Sequence, residues 1–318
     1  MRIWLCVIII LGLSASLFQQ SLRVAKLSPQ SVDIFSSVAP GGGYYPFMLE
    51  PWKPRVASNY LAQHLLAGID NPNRRPAVWN IAWFIPCCAV VMAISARHSL
   101  FMIFGLYAGV TWGYMPVKIG GLLTRIYPWD MPALFFFCCF VLFVQRRWIR
   151  PLFLLLPIGI LFKETLMIGC VAPLFLLGDR RGRISRTAAL VAVCAAAKAA
   201  AGLLGGAPLF LSMRAVGWCT PEKENASRFL YNLRILAEPR LAHPLLANGG
   251  TFLAGIFAAL PRLRDETTRL YLTVLALFTA GLLYYSVIHE FRIWFEAIPI
   301  SLVLIVEWLR SREGRISS

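Results

Sequence analysis

Lys163 and Glu164 stand side by side between two apolar runs, Pro151 to Phe162 and Leu166 to Leu177. Charge set so deep in apolar sequence is expensive, so the two side chains either pair with each other or serve a ligand. Other ionisable residues border apolar runs in the same way. Asp130 follows Tyr127-Pro128-Trp129 and precedes Met131-Pro132, where a carboxylate either caps a helix N-terminus or faces a site. His289, Glu290, Arg292 and Glu296 fill the short link between two apolar runs, with Arg292 and Glu296 four apart and on one helical face if the helix begins early. Asp33, Glu50, Lys53 and Arg55 lie in a polar stretch near the N-terminus. Carboxylates suit proton abstraction and cations suit anionic oxygens, so gathering these groups on one side of a membrane would make a site.

Membrane helices would have to hold these residues in place. Of the 318 residues, 58% are apolar and 14% charged, against about 45–50% and about 25% in an ordinary soluble domain. Mean hydropathy is +0.65. The expected fold is all-α: one integral membrane domain over residues 1–318, a bundle of about eight to ten membrane helices. Its large loops fall at 19–76 and 205–248. Spans are expected over Ile3 to Phe18, Ala77 to Ala96, Ser99 to Val117, Met131 to Gln145, Thr187 to Leu204, Gly249 to Pro261, Leu270 to Ile288 and Phe295 to Leu309. A short amphipathic helix over Arg55 to Leu66, with Val56, Tyr60, Leu61 and Leu65 as its apolar positions, should lie at the membrane surface.

The segment 151–178 is read as a re-entrant or broken hairpin. Arg146, Arg147 and Arg150 precede it, Arg180, Arg181, Arg183 and Arg186 follow it, and the positive-inside bias wants both groups on one face. A single straight span would put them on opposite faces. With the hairpin, Arg2, Arg97, both clusters, Arg262/Arg264/Arg269 and Arg310/Arg312/Arg315 share one side. Lys163-Glu164 and the other candidate residues share the other.

The formal charge of +16 is that of arginines in short loops beside an anionic leaflet, so no nucleic-acid partner is expected. Seven of the eight cysteines sit in apolar runs and suit small buried residues rather than disulfides or metal ligands. Lys198, among alanines, suits a snorkelling side chain or contact with a lipid phosphate. No phosphate-cradling glycine loop, zinc spacing or nucleophile elbow is present, and nothing in the sequence specifies a cofactor.

This arrangement resembles the polytopic GT-C glycosyltransferases. The likeness rests on the long first loop carrying Asp33 and Glu50, several incomplete spans, and the charged residues Asp130, Lys163, Glu164 and His289 to Glu296. It implies sugar transfer from a polyprenyl-phosphate donor to a glycan or lipid acceptor at the outer face, expected of a multi-pass protein of a bacterial inner (plasma) membrane. It also implies that Asp33 or Glu50 is the catalytic base. The substrate and its lipid phosphate would then be held by Arg55, Asp130, Lys163, Glu164, His289, Glu290, Arg292 and Glu296, with Arg55, Lys163 and Arg292 as the phosphate partners. The family often pairs its loop acids, whereas Asp33 and Glu50 stand seventeen positions apart. A transporter or flippase shares the broken helix and the intramembrane charges, and a non-catalytic assembly subunit would suit unpaired acids.

Overall fold

The computed structural model describes residues 2–28, 31–32, 35, 56–114, 126–204, 230, 232–234, 250–285 and 294–316. Those residues form an all-α bundle with no strand among them. The helices are α1 (Arg2–Leu27), α2 (Val56–Leu65), α3 (Arg75–Ile94), α4 (Ser99–Gly113), α5 (Asp130–Gln145) and α6 (Ile149–Ile160). A 3₁₀ segment over Glu164–Val171 leads into α7 (Ala172–Leu176) and α8 (Arg180–Leu204). Then come α9 (250–259), α10 (Glu266–Tyr285) and α11 (Ala297–Ile316). Three stretches, Trp4–Leu27, Pro72–Ile94 and Arg180–Leu203, are long and apolar enough to cross a membrane. The chain is a membrane protein.

Several helices run further than hydropathy suggests, for polar reasons. In α1 the residues after Phe18 stay helical because their side chains bond neighbouring helices. The Gln20 amide donates to the Thr111 carbonyl, and Asn80 Nδ2 donates to Ser21 Oγ at 3.0 Å. Buried positions of α1 and its continuation (Ile10, Ser14, Leu17, Ser21, Val24, Ser28 and Ser31) alternate by four and three, the seam of a helix packed nearly parallel to its neighbours. Serines on that seam let the backbones approach. Helix α8 starts at Arg180 rather than Thr187 because Asp179 Oδ2 accepts from the Gly182 amide at 2.6 Å, and α10 starts at Glu266 because Asp265 Oδ2 accepts from the Thr268 amide at 2.8 Å. Both are N-cap bonds, which satisfy donors that an uncapped helix leaves open.

Helices α4 and α11 lie antiparallel along a glycine ridge. Gly105, Gly109 and Gly113 repeat every fourth residue, and a Cβ at each would come within 2.5 Å of Leu302, 2.5 Å of Ile298 and 2.0 Å of Phe295. A side chain at any of the three would have to displace one of these neighbours.

The doubled-back segment is present. A Cβ on Gly159 would meet Leu166 at 2.7 Å and one on Gly169 would meet Leu156 at 2.9 Å, so the limbs run antiparallel about a turn at Leu161–Lys163. The turn is made by the Phe162 and Lys163 amides, which both donate to the Gly159 carbonyl at 2.9 Å. Eight residues of 3₁₀ helix rise about 16 Å where an α-helix would rise about 12 Å, so the short return limb reaches back to the level of α6's start. There the Arg183 guanidinium bonds the Leu177 carbonyl.

Arginines do collect at one end of the bundle. Arg97 pairs with Glu313 at 3.0 Å, Arg183 with Glu266 at 3.3 Å and Arg262 with Glu307 at 3.4 Å. Arg310 bonds both Glu307 and Ser95, and Arg146 reaches the Ala93 carbonyl. The apex Leu161–Lys163 lies at the opposite end, beside the first residue of α5.

Candidate functional site

Three elements converge at that opposite end. Asp130 opens α5, Lys163 sits at the apex with extended backbone (φ −157°, ψ 129°), and Glu296 precedes α11. All three are buried, at 1%, 7% and 1% exposure. Lys163 Nζ lies 2.6 Å from Glu296 Oε1 and 3.3 Å from Asp130 Oδ1, and Thr165 Oγ1 donates to Glu296 Oε1 at 3.3 Å. One ammonium thus binds three segments that are 33 and 133 residues apart in sequence. Glu296 Oε2 is buried and has no hydrogen-bond partner among the described residues.

Each member is held by its own framework. The Pro128 carbonyl accepts from Ser58 Oγ at 2.6 Å and Trp79 Nε1 at 2.8 Å, which fixes the chain just before Asp130. The Ala57 amide donates to the Leu161 carbonyl, so α2 is fastened to both α5 and the apex. Phe295 seats on Gly113 and meets Tyr114 edge-to-face at 5.0 Å, which sets the depth of Glu296. Trp294 packs against Phe252 of α9 and Phe278 of α10.

Lys163 and Glu164 do not pair with each other. The extended residue turns Lys163 inward, while Glu164 faces Lys198 of α8 at 3.7 Å. The alanine-set lysine is therefore the counter-ion of the apex acid. Asp130 is not the helix cap: Trp129 holds that position without a side-chain bond, and Asp130 spends an oxygen on Lys163. Tyr127 and Trp129 are not surface anchors either, being 3% and 1% exposed. In α2 the buried face is Ser58, Ala62 and Leu66, whereas Tyr60 and Leu65 point outward. The seven described cysteines are free and buried.

Asp33, Glu50, Arg55, His289, Glu290 and Arg292 lie outside the described residues. Their flanking residues are at the site end: Ser31 Oγ accepts from the Ile126 amide, Ser58 reaches Pro128, and Glu296 reaches Lys163. No family model, curated protein or solved structure matches the chain. The site must speak through its own chemistry.

Two carboxylates facing one ammonium make a poor phosphate receptor, because the lysine's charge is already answered. They make a strong clamp. Removing one partner of a buried pair leaves an uncompensated charge, which is far costlier than losing an exposed pair. Sequence reading missed Thr165 as a site residue. It also missed the Gly105-xxx-Gly109-xxx-Gly113 repeat that seats Phe295, although that spacing is visible as a small-residue motif.

Proposed function

We propose that this chain is a multi-pass membrane glycosyltransferase of GT-C-like architecture. It would transfer sugar from a polyprenyl-phosphate donor to a glycan or lipid acceptor on the face opposite the arginine-rich end. The reading rests on one observation: a buried acid–base cluster is built where the re-entrant apex meets α5 and α11, at the end from which the loop bearing Asp33, Glu50 and Arg55 departs and to which it returns.

In this mechanism Asp33 or Glu50 takes the proton of the acceptor hydroxyl as it attacks the anomeric carbon, and the lipid phosphate leaves with the bonding electrons. Arg55 and Arg292 meet the phosphate oxygens. Lys163 acts as a positioning residue, since its ammonium is engaged by Asp130 and Glu296. The clamp keeps the apex docked and the vestibule floor rigid.

The test is reconstitution in lipid with a polyprenyl-phosphate sugar and turnover measured by release of the lipid phosphate. Glu50→Gln or Asp33→Asn should lower turnover about 100-fold or more, the usual loss for a missing general base. If no such donor binds or turns over, the transferase reading fails. A carrier reading draws on the same broken helix and buried charges. It predicts substrate-dependent flux across proteoliposomes with no covalent product.

A further inference from the structure

The arginines at the end opposite the apex fall into two sets. On one side of the bundle they are answered by acids. Glu266 takes Arg183 and Arg269, Glu307 takes Arg262 and Arg310, and Glu313 takes Arg97. On the side of the re-entrant hairpin they are not. Arg150, the second residue of α6, and Arg180, Arg181 and Arg186, in the first two turns of α8, are exposed and form no ion pair among the described residues. The acid beside them, Asp179, accepts from the Arg181 and Gly182 amides with its two oxygens. Four cations thus stand against one carboxylate.

These arginines share one place because α6 and α8 pack together and run parallel. Both leave the arginine-rich end, α8 where Arg183 pairs with Glu266, and their far ends meet where Glu164 faces Lys198. Helix formation does not ask for arginine here. The first turn of a helix favours acids and disfavours cations, yet neither α6 nor α8 has an acid in its first turn. Further along the same two helices the exposed side chains are apolar. Leu154 and Ile158 follow Arg150 at intervals of four on α6, and Ile184 and Val191 are exposed on α8. Trp148, two residues before Arg150, is half exposed, and an indole suits the boundary between headgroups and acyl chains. A cationic patch above an apolar flank is complementary to a molecule with an anionic head and a hydrocarbon tail. Arginine forks match phosphate oxygens in particular. We propose that the base of the re-entrant hairpin binds an anionic phospholipid, with its phosphate among Arg150, Arg180, Arg181 and Arg186 and an acyl chain along the exposed flank of α6 and α8. The bound lipid would tie the start of α6 to the start of α8, the two ends between which the hairpin is strung. This inference is independent of the transferase reading, because it concerns the other end of the bundle and its readout needs no sugar donor.

The experiment is native mass spectrometry of the full chain, delipidated in a neutral detergent and then given phosphatidylglycerol or phosphatidylcholine with identical acyl chains. Wild-type protein should retain phosphatidylglycerol in preference to phosphatidylcholine. Replacing Arg150 and Arg180 together by glutamine should lower that preference about tenfold or more. The double replacement Arg264→Gln with Arg312→Gln, at the same end but off the patch, should leave it unchanged. If the first double variant does not fold, Arg181→Gln with Arg186→Gln serves the same purpose. Glycerol 3-phosphate, which offers the phosphate without the chains, should displace the lipid only at concentrations far above the lipid's own. Equal retention of the two lipids would overturn the proposal, as would a preference that survives both patch variants. Equal loss in Arg264→Gln with Arg312→Gln would show a diffuse surface field in place of a site. Displacement by glycerol 3-phosphate at equal concentration would show a site for free phosphate and refute the acyl-chain seat.

Discussion

At the scale of single residues, Lys163 carries the heaviest consequence. Its replacement by methionine leaves two buried carboxylates facing each other, and the expected loss is about 3–5 kcal/mol of stability. Adding Asp130→Asn and Glu296→Gln to Lys163→Met removes the orphaned charges, so the triple variant should recover much of that loss. Thermal unfolding of the single and triple variants in one lipid system decides the matter. A triple variant no more stable than Lys163→Met would mean that the lysine contributes by packing alone. Arg147 offers a test of opposite sign. Its φ is +54°, and it closes α5 in a left-handed cap in which the Trp148 amide donates to the Phe143 carbonyl at 2.8 Å. That conformation costs a non-glycine residue about 1 kcal/mol or more. Arg147→Gly should therefore raise stability by up to about 1 kcal/mol, read as a higher Tm. The sequence singles out Asp130, Lys163 and Glu296 because charge beside apolar runs demands a partner. It does not say that Lys163 turns inward while Glu164 turns to Lys198, since that division is made by one extended residue at the apex.

At the scale of elements, the bundle's precision comes from glycine. Along α4, Gly109 sits where a Cβ would lie 2.5 Å from Ile298, whereas Gly281 of α10 has nothing within 4 Å of its Cβ position. The two therefore respond oppositely to the same change. Gly281→Ala should be neutral or stabilising by up to about 1 kcal/mol, the helix-propensity gain. Gly109→Leu should force α11 outward, destabilise the fold by about 1–3 kcal/mol as overpacking does, and separate Glu296 from Lys163. In α9, Gly255 gives a further case, for its Cβ would meet the backbone of Ser301 at 2.8 Å, and backbone cannot rotate away. Gly255→Ala should therefore cost more than Gly281→Ala in the same unfolding assay. Hydropathy locates nearly every helix, since burial in lipid selects apolar runs. It misplaces their starts where caps such as Asp179 and Asp265 extend a helix into polar sequence. It also cuts α1 short, because Gln20 and Ser21 look like loop residues until their partners on α4 and α3 are known.

At the scale of the whole molecule, the polarity of the bundle is the property from which its function must follow. Arginine-rich links gather at one end, braced by Glu266, Glu307 and Glu313, and in the proposed orientation the positive-inside bias would put that end in the cytoplasm. The apex reaches the other end because α6 and its return limb span nearly the length of α5, whose 16 residues rise about 24 Å. Single-cysteine labelling in sealed vesicles tests this polarity directly. Seven native cysteines are buried, so with Cys219 replaced by serine the background should be low. A membrane-impermeant thiol reagent added outside should modify Asn71→Cys, beside the start of α3, and Glu164→Cys at the apex, but not Gly182→Cys at the start of α8. Inverted vesicles should reverse the pattern. Labelling of Glu164→Cys and Gly182→Cys from one common side would mean that the apex does not open toward the opposite face. The clamp would then be a purely structural staple, and the loop carrying Asp33 and Glu50 could not share a vestibule with it.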